Sequence, residues 1–167
     1  KHRFLKAIQL LNPDLPEVAY TNAYEIINSN DVTKNLSELN HQKYEYLKDG
    51  IPVSYKDKDG ELVLKQRLKV FDFENPHNND FLAVQQLWVE GKSKRMTRPD
   101  VIGFVNGIPL VFTELKKPSV KLRAAYEKNL KDYKNVIPRL FHFNAVIILS
   151  NGLESKIGSI TSKFEPI

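Results

Sequence analysis

The chain has 167 residues, 41% of them hydrophobic, enough apolar material for one globular domain with a core of its own. It contains no cysteine, which excludes disulfide scaffolds and thiolate metal centres, and no run of eighteen apolar residues that could cross a membrane as a helix. The net charge of +5 is modest, and a metal site would have to draw on carboxylates, carbonyls and four scattered histidines, donors that suit a hard ion such as Mg²⁺.

Apolar residues at helical spacing predict helices over 4–11 (Phe4, Leu5, Ile8, Leu11) and 17–28 (Val18, Ala19, Ala23, Ile26, Ile27), parted by Asn12-Pro13 and Pro16. A third is expected over about 35–48, with Leu36, Leu39, Tyr44 and Leu47 apolar and Gly50 as its stop. Beyond Gly50 the character changes to β-branched and aromatic residues, predicting strands over Val53–Lys56, Leu62–Phe73 and Phe81–Glu90. Asp57-Lys58-Asp59-Gly60 supplies a hairpin turn between the first two. In PDVIGFVNGIPLVFTELKK, residues 99–117, two apolar runs flank Asn106-Gly107, a strong signal for a second hairpin. Ser119 is expected to cap a helix running to about 136, with Leu122, Tyr126, Leu130, Tyr133 and Ile137 along one face. Pro138 ends it, and Phe143–Ser150 reads as a strand covered on both sides. Helices, then a meander, then strand–helix–strand predict a single α/β (α+β) domain over 1–167, a helical part at 1–50 and a mixed sheet flanked by helices in 51–167.

Glu114 and Lys116 stand two apart on a strand, so both side chains leave the same face. Two charges at the end of an apolar strand are costly to bury unless they bind each other or a ligand. The hairpin folds Asp100 back towards them, and the register decides whether they meet. A strict two-residue turn at Asn106-Gly107 would put Asp100 and Glu114 on opposite faces, whereas a one-residue slip with Gly107 left-handed would pair them. Pro109 lacks an amide and suits such an irregularity, so a bulge or bend is expected near 106–109. Two carboxylates so placed repel unless a cation lies between them. Asp100, Glu114 and the Leu115 carbonyl are then candidate ligands for Mg²⁺, and Lys116 a charge near an attacking water or a developing phosphorane, a group suited to phosphodiester hydrolysis.

The D-x13-E-x-K spacing within RPDVIGFVNGIPLVFTELKKP resembles the PD-(D/E)xK nucleases, and the whole phrase is similar to the N-terminal nuclease domain of type I restriction enzyme R subunits. FDFENPHNNDFLAVQQLWVEG upstream and NVIPRLFHFNAVIILSNGLESKIGS downstream extend the likeness over about residues 70–160. The resemblance implies a restriction-endonuclease-like core with extra N-terminal helices, and Asp100, Glu114 and Lys116 as metal-binding carboxylates and catalytic lysine. It implies Mg²⁺ as cofactor and double-stranded DNA as substrate. It also implies modification and specificity subunits as partners in a bacterial or archaeal cytoplasm, and ATP used by a longer motor chain and not bound by this part. Because the first residue is Lys1, the chain reads as a fragment of a longer protein with no membrane role.

The family's Q-x-x-x-Y signature is altered, Asn129 standing four residues before Tyr133, so both share a helix face and are candidate DNA contacts with Lys117, Lys121 and Arg98. Tyr133 suits core packing equally well. The family's early-helix glutamate has no assigned counterpart among Glu17, Glu25 and Glu45. Gly91-Lys92-Ser93 imitates a phosphate loop, but Gln86 stands where its earlier glycine belongs, so no ATP site is assigned. Gln85 and Gln86 are expected to face water, the histidines show no ligand spacing, and Trp88 is expected in a strand and in the core. A non-catalytic DNA-binding or docking module, or a stand-alone repair or recombination nuclease, are the competing readings.

Overall fold

The computed structural model describes residues 1–164, and it groups them into two compact units, Lys1–Phe81 with Val105–Ile108, and Leu82–Phe104 with the chain from Pro109 onward. The first unit opens with three helices, α1 (His2–Leu11), α2 (Glu17–Asn28) and α3 (Leu36–Asp49). Asn35 caps α3, its side chain accepting from the Glu38 amide while Glu38 accepts from the Asn35 amide. Gly50, at φ 85°, ends the helix in a backbone conformation that a side chain would resist. The strands β1 (Ile51–Lys56) and β2 (Leu62–Leu68) form an antiparallel hairpin, with the expected turn closed by Gly60 N–H donating to the Asp57 carbonyl. Phe4, Ile8, Ala19, Ala23, Ile27, Ile51, Val53 and Leu68 form its core, each large side chain contributing about 1.5–3 kcal/mol by leaving water.

Lys43 is the unexpected member of that core, only 1% exposed. Its Nζ donates to the Ile27 carbonyl at 2.6 Å and to that of Ser29, satisfying acceptors that the end of α2 leaves open. Burial, and then the charge of Lys34, push its pKa down to about 8. Between there and the ordinary lysine value of 10.5 the unfolded chain holds more protons than the folded one, so stability rises with pH across that window. Lys43→Ala is expected to cost about 3 kcal/mol through unpaired carbonyls and a cavity. In urea unfolding the gap from the unchanged protein should widen between pH 7 and pH 10, and a gap that narrows would contradict this role.

The second unit carries a five-stranded mixed sheet in the order β3 (Phe81–Gln85), β6 (Val101–Val105), β7 (Ile108–Leu115), β8 (Val146–Ser150), β9 (Ser155–Gly158). A short ribbon of β4 (Val89–Glu90) and β5 (Met96–Thr97) interrupts the segment between β3 and β6. The expected strand over Phe81–Glu90 is therefore broken, because Gln86 turns left-handed at φ 50°. β7 and β8 run parallel, joined by the crossover helix. β9 returns antiparallel at the edge, a strand that the polar sequence around Lys156 did not announce.

That helix departs from expectation at both ends of its first half. Ser119 is not its cap. Pro118 and Ser119 lie in a turn closed by Val120 N–H on the Lys117 carbonyl, and the helix starts as α4 at Leu122. A π-helical segment, Ala125–Leu130, follows before α5 (Lys131–Val136). Five-apart residues on a straight α-helix point about 140° apart, yet Ala125 and Leu130 are both buried. The extra residue of the π segment brings them onto one face.

Candidate active site

Asn106 and Gly107 both have positive φ, 51° and 76°, so the hairpin of β6 and β7 has a two-residue turn of the kind that demands left-handed backbone at both positions. The slip was expected at the turn, with Gly107 left-handed and a bulge or bend near 106–109. The offset lies between that turn and the pair of Gly103 with Val111. A Cβ on Gly103 would stand 3.0 Å from the Val111 Cβ, which puts those residues opposite one another on the same face. By the same parity Asp100, Ile102, Phe112 and Glu114 share the other face.

That face packs under the crossover helix. Phe112 pairs with Ile147 and Glu114 with Leu149 across the parallel register, and the Phe112 ring lies 5.3 Å from the Tyr133 ring and 4.9 Å from that of Phe141. Glu114 is thus carried under apolar cover and is only 2% exposed. Lys116 Nζ donates to Glu114 Oε1 at 2.6 Å, while Glu114 Oε2 is buried with no hydrogen-bond partner. Burial pushes the Glu114 carboxyl above its ordinary range, the bonded Lys116 ammonium pulls it back, and the Asp100 carboxylate beside it pushes it up again.

Asp100 Oδ2 accepts from the Leu115 amide at 2.8 Å, which fixes its carboxylate at the end of the strand pair. Amide and carbonyl of one strand residue leave the same edge, so the Leu115 carbonyl is directed to the Asp100 side, while the next amide, of Lys116, turns to the Ser150 carbonyl at 2.8 Å. Asp100, Glu114 and Lys116 therefore come together, with the Leu115 carbonyl beside them. No group of three His, Asp or Glu side chains able to hold a metal ion occurs among the described residues, so the oxygen set is two carboxylates and a carbonyl. These donors fit a hard divalent ion, and the orphaned Glu114 oxygen is the position such an ion would satisfy.

Tyr133 faces the same site from α5. Its hydroxyl is 3.4 Å from the Arg98 carbonyl, and its pKa is pushed up to about 12 by burial first and then by the negative charges of Glu114, Asp100 and Asp132. It stays a neutral donor at any physiological pH. Asn129 is half-buried within the π segment, and Lys117 and Lys121 are exposed beyond β7. Arg98 is exposed too, but its guanidinium lies over the Trp88 ring at 5.1 Å. Trp88 is 60% exposed and belongs to no strand, against the expectation of a core position. The break after Gln85 swings it out of the alternation that would have buried it. Gln85 and Gln86 face water as expected.

Residues 1–166 match the family described as type I restriction enzyme R protein N terminus. The chain is 36% identical over 163 residues to the endonuclease subunit of the HindI type I restriction enzyme of Haemophilus influenzae, covering 96% of this chain and 15% of that protein. It is 34% identical over 169 residues to a provisionally named endonuclease subunit of the MjaIXP type I restriction enzyme of Methanocaldococcus jannaschii, covering 99% of this chain and 16% of the relative. It thus spans about a sixth of the length of these relatives. Among the described residues no helix is long and apolar enough to cross a membrane.

Proposed function

Because this chain belongs to the type I restriction enzyme R protein N-terminal family, we propose that it is the part of such a subunit that hydrolyses phosphodiester bonds of double-stranded DNA, with Mg²⁺ held by Asp100, Glu114 and the Leu115 carbonyl. One observation carries this reading. Two carboxylates and an amine converge at the end of β6 and β7, and one oxygen of the buried acid has no partner. Two like charges about 4 Å apart repel by roughly 4 kcal/mol at an effective dielectric of about 20, and Lys116 offsets only one of them. When bound, the ion would supply the missing positive charge and polarise a phosphoryl oxygen.

The remaining work falls to the chain's own groups. The Leu115 amide holds Asp100 in one orientation, so no rotamer search precedes binding. Lys116, held by Glu114, offers its ammonium to the charge that develops on the phosphate. Tyr133, neutral over the working range, is placed to donate rather than to ionise. By the same reading ATP serves other parts of the longer subunit, the modification and specificity subunits supply sequence recognition, and the assembly works in the cytoplasm. The test is Mg²⁺-dependent nicking of supercoiled plasmid by the full restriction complex carrying this chain. Nicking that survives Asp100→Ala overturns the assignment.

The pH dependence follows from the raised Glu114 carboxyl. Without a cation the folded state holds its proton to higher pH than the unfolded state does, so Glu114 costs stability as pH rises above the ordinary 4.5. With a divalent ion held there, Glu114 would favour its carboxylate form and that cost would be offset. The rise in melting temperature produced by Mg²⁺ is therefore expected to grow with pH and to fade as Glu114 is protonated, at higher pH than an exposed glutamate would require. Thermal unfolding at fixed Mg²⁺ over pH 5–8 measures it, and a flat response would count against Glu114 as a ligand.

A further inference from the structure

The segment 86–98, which ends two residues before Asp100, contributes no side chain to the cluster of Asp100, Glu114 and Lys116, yet it is fastened at several points. Gln86 N–H donates to the Asp100 carbonyl at 2.8 Å, tying the start of the arm to the residue that bears the site's first acid. A Cβ on Gly91 would come within 2.4 Å of the Val136 carbonyl, so the arm lies in direct backbone contact with the end of α5. Arg95 makes a two-pronged ion pair with Asp132, at 2.9 and 2.8 Å, and the Arg98 carbonyl lies 3.4 Å from the Tyr133 hydroxyl. The tip is closed by Gly91 N–H on the Arg95 carbonyl and held left-handed at Ser93 and Lys94, φ 57° and 59°. Left-handed backbone at such residues is unfavourable and persists only where the surroundings impose it.

What this fixed arm shows to solvent is consistent in kind. Trp88 is 60% and Met96 49% exposed, Arg98 lies over the Trp88 ring, and Lys92 and Lys94 stand exposed at the tip. Arg95 is neutralised by Asp132, so Lys92, Lys94 and the Arg98–Trp88 pair remain on one short segment, with Glu90 its one acid. A structural role for Trp88 would bury it. An exposed aromatic beside Arg98, on a fastened arm that also carries Lys92 and Lys94, is instead complementary to a nucleic-acid strand, whose phosphates take the cations and whose sugars and bases offer flat apolar surface.

We propose that the 86–98 arm is a second DNA contact beside the catalytic centre, gripping the strand next to the phosphate under attack, with Arg98 on a phosphate and Trp88 against the adjoining sugar–base edge. The inference rests on the nuclease reading but makes a separate claim, because the arm contributes no group to the metal site. Its attachment to the Asp100 carbonyl and to α5 would hold the gripped strand in a set position relative to the two carboxylates.

Trp88 is the only tryptophan of the chain, so its fluorescence reports on the arm directly. The chain is titrated with a short duplex and with the matching single strand, in Ca²⁺ so that binding is read without relying on turnover. The expected result is a DNA-dependent change of Trp88 emission that weakens with salt, and about a tenfold rise in Kd for Trp88→Ala and for Arg98→Gln when binding is read by anisotropy of labelled DNA. Trp88→Phe should recover most of the affinity, which a folding defect would not, and the Ca²⁺ affinity of the carboxylate site should be unchanged in all three. Unaltered emission with DNA bound, or Trp88→Ala binding like the unchanged protein, overturns the arm proposal and leaves the nuclease reading intact. A stronger response to the single strand than to the duplex overturns the duplex form of the grip. Failure of the unchanged chain to bind either DNA overturns the arm and the nuclease reading together, whereas DNA binding by a chain whose nicking survives Asp100→Ala removes the nuclease reading alone.

Discussion

Glu114→Gln is expected to lower Mg²⁺-dependent nicking by on the order of 10³-fold while raising the melting temperature of the metal-free protein. The two effects have one cause. The carboxylate is buried beside Asp100 with one oxygen unpaired, and burial and that neighbour both disfavour its charge. A neutral amide of the same shape removes the strain on the fold and with it the charge that would bind the ion. A residue kept at a cost to stability is being kept for something else. Asp100→Asn should match the loss of nicking and also relieve the repulsion on Glu114, since its amide oxygen can still accept from the Leu115 N–H. Lys116→Ala should differ from both. It strips Glu114 Oε1 of its 2.6 Å partner, so the carboxyl rises further and the acid limb of metal binding moves to higher pH, while the ligand oxygens remain. Nicking and calorimetric Mg²⁺ binding measured across the three variants separate these patterns. Wild-type cleavage by any of them would remove that residue from the centre.

The parts of this arrangement that could be read from the residues are those fixed by local rules. The three N-terminal helices follow from apolar spacing and from Pro and Gly stops, and the β6–β7 hairpin from Asn106-Gly107. Asp100 and Glu114 were expected to meet through a one-residue offset. The offset exists between the two-residue turn and the Gly103–Val111 pair, a stretch that includes Pro109 and overlaps the span where a bulge or bend was expected. What escaped were features decided by distant partners. The break at Gln86 that exposes Trp88 coincides with a hydrogen bond from its N–H to the Asp100 carbonyl, fourteen positions along the chain, which no periodicity encodes. The π segment of the crossover helix puts Ala125 and Leu130 on one face by inserting a residue, and an assumed α-helical period cannot show that. Lys43 looks like a solvated lysine of an amphipathic helix until the end of α2 is set against it. Ser119 failed as a cap because Pro118 commits the chain to a turn before the helix begins.

Asn106→Ala is expected to be the most damaging single change to the stability of the first unit, about 3–4 kcal/mol, roughly a hundredfold or more in the folding equilibrium at 1.4 kcal/mol per tenfold. Asn106 is 0% exposed, and its side chain donates to the Val70 carbonyl at 2.8 Å and to Asn79 Oδ1 at 2.9 Å while accepting from the Asp80 amide at 2.7 Å. No water can replace those partners without opening the core. Its backbone is left-handed at φ 51°, which asparagine tolerates and alanine resists, and its own amide donates to the Asp80 carbonyl at 2.8 Å, so the residue cannot relax out of that conformation. The Asn-Gly signal that marks the hairpin thus hides a second requirement, since Asn106 is needed for its amide as well as for its turn. Asn106→Asp separates the two. Aspartate accepts the left-handed backbone and the Asp80 N–H, but sets a carboxylate oxygen against the Val70 and Asn79 oxygens where an N–H₂ donated before. If hydrogen bonding dominates, Asn106→Asp should lose at least as much as Asn106→Ala at neutral pH and recover partly on acidification, as the carboxyl is protonated and gains a donor. Urea midpoints at pH 5 and pH 7 decide it: an aspartate variant as stable as the unchanged protein at pH 7 would show that the turn alone matters.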